Sequence, residues 1–336
     1  MRKKIKIGVI GAGRIGKMHV ENILSNFRYI EIKAIADIFA DNLKEWANEL
    51  GIKNIYKDHK DLLGDPEIDA VLIFSSTDTH AQMIIESANA GKHIFCEKPI
   101  DFDLNRIREA LNAVEKANVK FQLGFNRRFD HNFKKVHDMV REGKVGDVHI
   151  VKITSRDPEP PPIGYIRGSG GLFFDMTIHD FDMARYLTGS EVTEVFASAA
   201  VLVDPAIGEA GDVDTAIITL KFENGALGVI DNSRKAVYGY DQRVEVFGTK
   251  GCITAANDTP TNVILSSSVG VIADKPKYFF QERYKEAYID EMRAFFDCII
   301  NDKKPIVTGI DGLEAVLIGI AAQKSLKEGR PIKIER

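Results

Sequence analysis

The chain has 336 residues, 45 Lys and Arg against 49 Asp and Glu, and a formal net charge of −4. With 44% hydrophobic and 28% charged residues, it has the composition of a soluble globular protein long enough for two domains. The acidic balance excludes a strongly basic nucleic-acid surface, and no run approaches the roughly 18 apolar residues of a membrane span, so the expected protein is cytoplasmic, with a small or neutral ligand and neither a nucleic-acid nor a membrane partner.

The start, MRKKIKIGVIGAG, is basic and then apolar. Its apolar run is short and leads into a glycine motif, which fits a first strand better than a signal peptide. Ile30–Asp37 reads as a second strand, and Arg14–Asn26 between them as a helix. A helix over 41–50, a strongly apolar strand over 68–75 and a helix over 79–90 follow. A strand over 93–97, a helix over 104–118 and a strand over 120–124 complete this part. Strands alternating with helices predict a doubly wound parallel sheet. From about Lys144 the texture changes. A strand begins at DVHIVKITSRD and runs into the loop signal PEPPP. A helix over 172–188 precedes strands near 191–203, 213–222, 226–234, 241–248, 251–255 and 262–266, then helices near 282–300 and 310–328. The predicted class is an α/β Rossmann domain over 1–124 and an α+β domain with a mostly antiparallel open sheet over 125–336. The second domain is expected to serve substrate binding and oligomerisation, and its final segment can pack back on the first. Cys96, Cys252 and Cys298 lack C-x-x-C spacing and read as buried free thiols.

GVIGAGRIG places Gly11-x-Gly13-x-x-Gly16 directly after a strand and at the start of a helix. The glycines permit a tight turn and close backbone approach to a pyrophosphate, and the helix N-terminus offers free N–H groups. Gly11, Ala12, Gly13, Arg14, Ile15 and Gly16 are therefore the candidate cofactor loop. Asp37 ends the second strand, where a carboxylate bonds the adenosine ribose hydroxyls and repels a 2′-phosphate. Ile38, Phe39 and Ala40 follow it without an Arg, so the expected cofactor is NAD and not NADP. The competing reading is a plain glycine turn with an incidental Asp.

FSSTDTH, Phe74–His80, follows a strand of the expected parallel sheet, where ligands of open α/β sheets lie. Ser75, Ser76, Thr77 and His80 can line the cofactor, or simply cap the next helix. CEKPI puts Lys98 at another strand end, with Pro99 fixing the chain after it. A lysine held there can polarise a substrate oxygen; a solvated surface lysine is the bland alternative. GGLFFDMTIHDFDMARYL is apolar enough for a core helix, yet carries Asp175, His179, Asp180 and Asp182. On one helix Asp175, His179 and Asp182 share a stripe. A carboxylate one turn from an imidazole can orient it as a general base for a hydroxyl proton, or can tie the helix to a loop. Asp180 lies off the stripe and reads as a surface or capping group. No spacing makes a metal site.

The order GxGxxG, CEKP, GFNRRFD (Gly124–Asp130) and GGLFFDMTIHDFDMARYL resembles the glucose–fructose oxidoreductase / inositol dehydrogenase superfamily across the whole chain. D-x-x-x-H in DMTIHDFDMARYL, with NRRFD and YGYD (Tyr238–Asp241), is similar to its myo-inositol 2-dehydrogenase branch. The resemblance implies NAD-dependent oxidation of a cyclic polyol or sugar, with myo-inositol going to its 2-keto product. Scyllo-inositol or a pyranose is the first alternative, followed by an NAD-using redox glycosidase and a non-catalytic NAD sensor. It implies Lys98, Asp175 and His179 as the catalytic set, with His179 the base, Asp175 its orienter and Lys98 holding the reacting oxygen. Glu97 and Asn126 would stand beside the cofactor. Lys98, Asn126, Arg127, Asp157, Tyr165, Asp175, His179, Asp182 and Tyr238 would hold the polyol. It also implies a cis Pro99 and a homotetramer.

Overall fold

The computed structural model describes residues 4–336; Met1, Arg2 and Lys3, part of the basic start, lie outside the described residues. Two compact units form. The first comprises the residues up to Asn126 together with Tyr288–Leu313, and the second comprises Arg127–Ala287 together with Glu314–Arg336.

The first unit is built on β1 (Ile5–Ile10), β2 (Ile30–Ala36), β3 (Asn54–Tyr56), β4 (Ala70–Ile73), β5 (His93–Glu97) and β6 (Phe121–Gly124). Their order in the sheet is β3-β2-β1-β4-β5-β6, and every pairing is parallel. This is the doubly wound order in which the strand sequence reverses between β1 and β4, the place where such sheets bind dinucleotides. The strands are β-branched and apolar because helices cover both faces; all four residues of β4, AVLI, are buried. Helix Arg14–Asn26 buries Gly16, His19, Val20 and Ile23, spaced as one helical face. Helix Lys285–Ile300 contributes Ile289, Met292, Phe295 and Phe296 to the same core as Ile7, Val9, Phe74 and Phe95. Phe295 and Phe296 are fully buried, each stabilising the unit by about 2–3 kcal/mol through apolar area removed from water.

The second unit holds a seven-stranded mixed sheet. Its strands include β7 (Val148–Arg156), β8 (Val192–Ala200), β9 (Thr215–Phe222), β10 (Leu227–Ser233), β11 (Asp241–Gly248) and β12 (Gly251–Ala255). A separate hairpin joins β13 (Ile264–Ser267) to β14 (Gly270–Ala273), and β15 (Ile332–Lys333) closes the sheet edge. The order is β12-β11-β7-β10-β9-β8-β15. All pairings are antiparallel except β7 with β10, which run parallel in the middle. β9 alternates buried and exposed residues along its length, the pattern of a strand with one covered face.

The expected helix over 172–188 is interrupted. It divides at Met176 into Gly171–Asp175 and Thr177–Thr188. Helix His131–Arg141, absent from the sequence reading, is capped by Asp130, whose side chain accepts from the N–H groups of Asn132 and Phe133. Cys96 and Cys298 are buried free thiols, whereas Cys252, expected buried with them, is exposed on β12. Among the described residues no helix is long and apolar enough to cross a membrane.

Candidate active site

The glycine loop lies at the carboxyl end of β1. Gly11 has φ +89°, and a Cβ there would come within 2.6 Å of the Ser75 backbone nitrogen. A Cβ on Gly16 would lie 2.3 Å from the Gly11 carbonyl oxygen. These two glycines let the loop close against β4 and let the helix start beneath it. A Cβ on Gly13 would meet nothing within 4 Å, so the space above that turn is open. Gly13 is the N-cap of helix Arg14–Asn26; it supplies no side-chain cap, and the first turn carries no acidic residue. The first N–H groups thus face outward toward an anion, as pyrophosphate binding requires. Asp37 Oδ2 accepts from the Ala12 N–H at 2.8 Å, and its Oδ1 accepts from the Phe39 N–H at 2.8 Å. The carboxylate is therefore fixed beside the loop. The residues fit NAD.

The next two strand ends of this unit are tied together. Ser76 stands at the N-cap position of helix Thr77–Asn89 without a side-chain cap bond, and Ser75 Oγ pairs with Thr79 Oγ1 at 2.7 Å. His80 is buried, with Nδ1 2.7 Å from the Pro99 carbonyl oxygen and Nε2 3.0 Å from that of Ser75. Burial lowers the His80 imidazole below its ordinary value. His80 thus joins the Ser75 loop to the turn carrying Lys98, and the Lys98–Pro99 bond is cis. Glu97, half-buried, accepts from the Lys98 N–H at 3.3 Å. Asn126, buried, has an Nδ2 with no hydrogen-bond partner among the described residues, an available donor for a ligand oxygen.

In the second unit, helix Thr177–Thr188 is buried on almost every side. Its titratable groups separate sharply. Asp180 and Asp182 are buried, while His179 is half-buried, as is Asp175 at the end of the preceding short helix. Asp180 corrects the sequence expectation of a surface or capping group. It accepts from Arg127 Nη1 at 2.6 Å and Asn232 Nδ2 at 2.9 Å, and burial raises its carboxyl above the usual range against the pull of Arg127. A buried carboxylate is tolerated only when so paired. Asp182 accepts from both the Nε (2.8 Å) and Nη2 of Arg128, a bidentate pair. Of the expected polyol ligands, Arg127 and Asp182 thus sit in buried ion pairs.

Asp175 is the last residue of the short helix, where the chain breaks before His179. Tyr165 Oη donates to Asp175 Oδ1 at 2.9 Å, and Arg234 Nη1 donates to Oδ2 at 2.9 Å. Arg234 also reaches Asp157 at 3.4 Å. Burial pushes the Asp157 carboxyl up to about 6, partly offset by Arg234 and reinforced by Asp175. Tyr238 Oη donates to Asp241 Oδ2 at 2.6 Å and accepts from Arg156 Nη1 at 3.1 Å. Tyr165, Asp175 and Asp157 are therefore gathered around Arg234, a residue the sequence reading missed. Its signal was slight: one Arg after the end of β10, with no motif around it. The short helix Gly171–Asp175 starts at Gly170 and Gly171, both with positive φ. A Cβ on Gly171 would strike the Asp212 carboxylate, which accepts from the Leu172 N–H at 3.0 Å.

Residues 5–125 match the family described as "Oxidoreductase family, NAD-binding Rossmann fold", and residues 133–254 match "GFO/IDH/MocA C-terminal domain". The chain is 52% identical to the myo-inositol 2-dehydrogenase of Thermotoga maritima, over 98% of this chain and 99% of that protein. It is 44% identical to the inositol 2-dehydrogenase of Rhizobium meliloti, over 98% of this chain and 99% of the other. Among solved structures, the scyllo-inositol dehydrogenase of Lactobacillus casei with bound NAD(H) and scyllo-inositol matches with a TM-score of 0.93 at 32% identity. That match covers 99% of each chain. With the cradle, the strand order and both halves of the chain in agreement, this protein belongs to the GFO/IDH/MocA oxidoreductase family and is an NAD-dependent oxidoreductase acting on CH–OH groups.

Proposed function

We propose that the protein oxidises myo-inositol to 2-keto-myo-inositol. The observation that carries this reading is the full-length likeness to the myo-inositol 2-dehydrogenase of Thermotoga maritima at 52% identity. NAD, when bound, accepts the hydride that leaves the oxidised carbon. In this reading His179 takes the proton of the reacting hydroxyl, and Asp175 orients the imidazole. Asp175 suits that task because Tyr165 and Arg234 hold both its oxygens. Lys98 donates to the reacting oxygen from the turn fixed by His80 and Pro99. Asn126, Asp157, Tyr165 and Tyr238 supply donors and acceptors to the other hydroxyls, as a neutral polyol needs. Arg127 and Asp182 support that shell through their ion pairs with Asp180 and Arg128. The family resemblance supports a homotetramer, which light scattering reads directly.

Scyllo-inositol is the second reading, favoured by the likeness to the Lactobacillus casei enzyme. The deciding experiment follows NADH absorbance with NAD and a panel of myo-inositol, scyllo-inositol, chiro-inositol, glucose and xylose. Highest kcat/KM with myo-inositol supports the proposal. Preference for scyllo-inositol moves the substrate and keeps the chemistry, and no reduction with any of them overturns both readings.

A further inference from the structure

Behind the Lys98 turn the first unit groups three titratable side chains, two of them fully buried, to which the reaction as described gives no role. His19, Glu97 and Glu291 come from helix Arg14–Asn26, β5 and helix Lys285–Ile300, and their ligand atoms lie within 4.8 Å of one another. His19 Nε2 is 3.5 Å from Glu97 Oε1 and 3.8 Å from Glu291 Oε1. His19 and Glu291 are fully buried. Both nitrogens of His19, both oxygens of Glu291 and Oε1 of Glu97 have no hydrogen-bond partner among the described residues. The walls are aromatic: Phe74 stacks on the His19 ring at 4.5 Å, and Tyr288, the further titratable group facing the cluster, meets it edge-on at 5.3 Å.

Glu97 has a built place. A Cβ on Gly124 at the end of β6 would lie 3.1 Å from the Glu97 carboxylate, which would have to shift to admit it. The second Glu97 oxygen holds the Lys98 N–H. Two carboxylates this close in an apolar pocket cannot both stay ionised. Burial, with the nearby Glu97 charge, drives Glu291 toward its protonated form. A metal ion is the other way to neutralise the group. A metal-bound imidazole almost always donates its second N–H to an outer acceptor, and His19 Nδ1 has none.

We propose that Glu291 is a positioning residue: as a carboxylic acid buried between His19 and Glu97, it lets the Glu97 carboxylate keep its place and, through it, the turn that presents Lys98. This rests on the role of Lys98 proposed above. When Glu291 loses its proton at high pH, two facing carboxylates repel and the turn loses its support.

The test uses the full-length protein with Glu291→Gln and Glu291→Leu. Glu291→Leu should lower kcat about tenfold to a hundredfold through misplacement of Lys98. Glu291→Gln, which cannot lose a proton, should recover most of that loss and carry activity further into the alkaline range. Infrared spectra should show the C=O band of a protonated carboxylic acid at neutral pH, absent in Glu291→Gln. No such band, wild-type kcat and pH profile in Glu291→Leu, or a stoichiometric metal ion in the purified protein would each overturn the proposal. Lys98→Ala with unchanged turnover would instead sink the catalytic role of Lys98, while the infrared band reads the Glu291 proton independently of turnover.

Discussion

Asp175 and His179 stay half-buried in a segment where Asp180 and Asp182 are fully buried, and chemistry at this scale follows from that contrast. Asp180 and Asp182 are neutralised in buried ion pairs and hold the helix, whereas Asp175, held by Tyr165 and Arg234, and His179 keep some exposure. His179→Ala should lower kcat by about 10²–10⁴-fold, the usual worth of a general base, while NADH binding read by fluorescence stays near wild type. Near-normal turnover would remove His179 from the base role. Asp37→Arg should raise the KM for NAD and admit NADP, because the new cation meets a 2′-phosphate where a carboxylate repelled it. Unchanged cofactor preference would show that Asp37 does not reach the ribose.

Two elements decide the shape of the first unit's core. The glycine turn works because Gly16 packs on the Gly11 carbonyl with no room for a side chain. Gly16→Val should therefore abolish NADH binding, a loss that isothermal titration measures directly. Helix Lys285–Ile300, remote in sequence, fills the core beside β1, β4 and β5 with Met292, Phe295 and Phe296. Phe296→Ala should cost about 3–5 kcal/mol through the cavity left behind, read as a lowered Tm and urea midpoint. A change below 1 kcal/mol would mean that the core collapses around the gap.

Over the whole molecule, stability carries the charge balance around Arg234. Asp157, whose folded-state carboxyl titrates near 6 against an ordinary 3.8, faces Arg234, Asp175 and Arg127. The folded state keeps this proton to higher pH than the unfolded chain does. Its contribution is therefore most favourable at low pH and is lost as pH rises from about 4 to about 6, by up to about 3 kcal/mol. Asp157→Asn cannot titrate and should flatten that part of the stability–pH curve relative to wild type. An identical slope in both proteins would show that Asp157 is ionised throughout.

Local patterns carried much of this protein. The run Ile5–Ile10, the turn glycines and helix Arg14–Asn26 follow from residues that are neighbours in the chain, so β-branched runs, glycine spacing and helical periodicity were enough to place the cofactor unit and to choose NAD. The motifs CEKP and D-x-x-x-H were legible for the same reason. β3, three residues long, and β15, two residues long, were not, because strands that short have no periodicity to read. The start of the short helix at Leu172 is held by Asp212 forty positions away, and the burial of Asp180 depends on Arg127 and Asn232. Arg234 between Asp175 and Asp157, and Glu291 beside His19 and Glu97, are likewise pairings of residues far apart in sequence. The sequence by itself determined most of the longer elements and the cofactor, since backbone propensity and turn chemistry act over a few residues. Only the tertiary structure decided which charges are buried, paired or left facing a ligand, because desolvation and ion pairing depend on neighbours that the fold brings together.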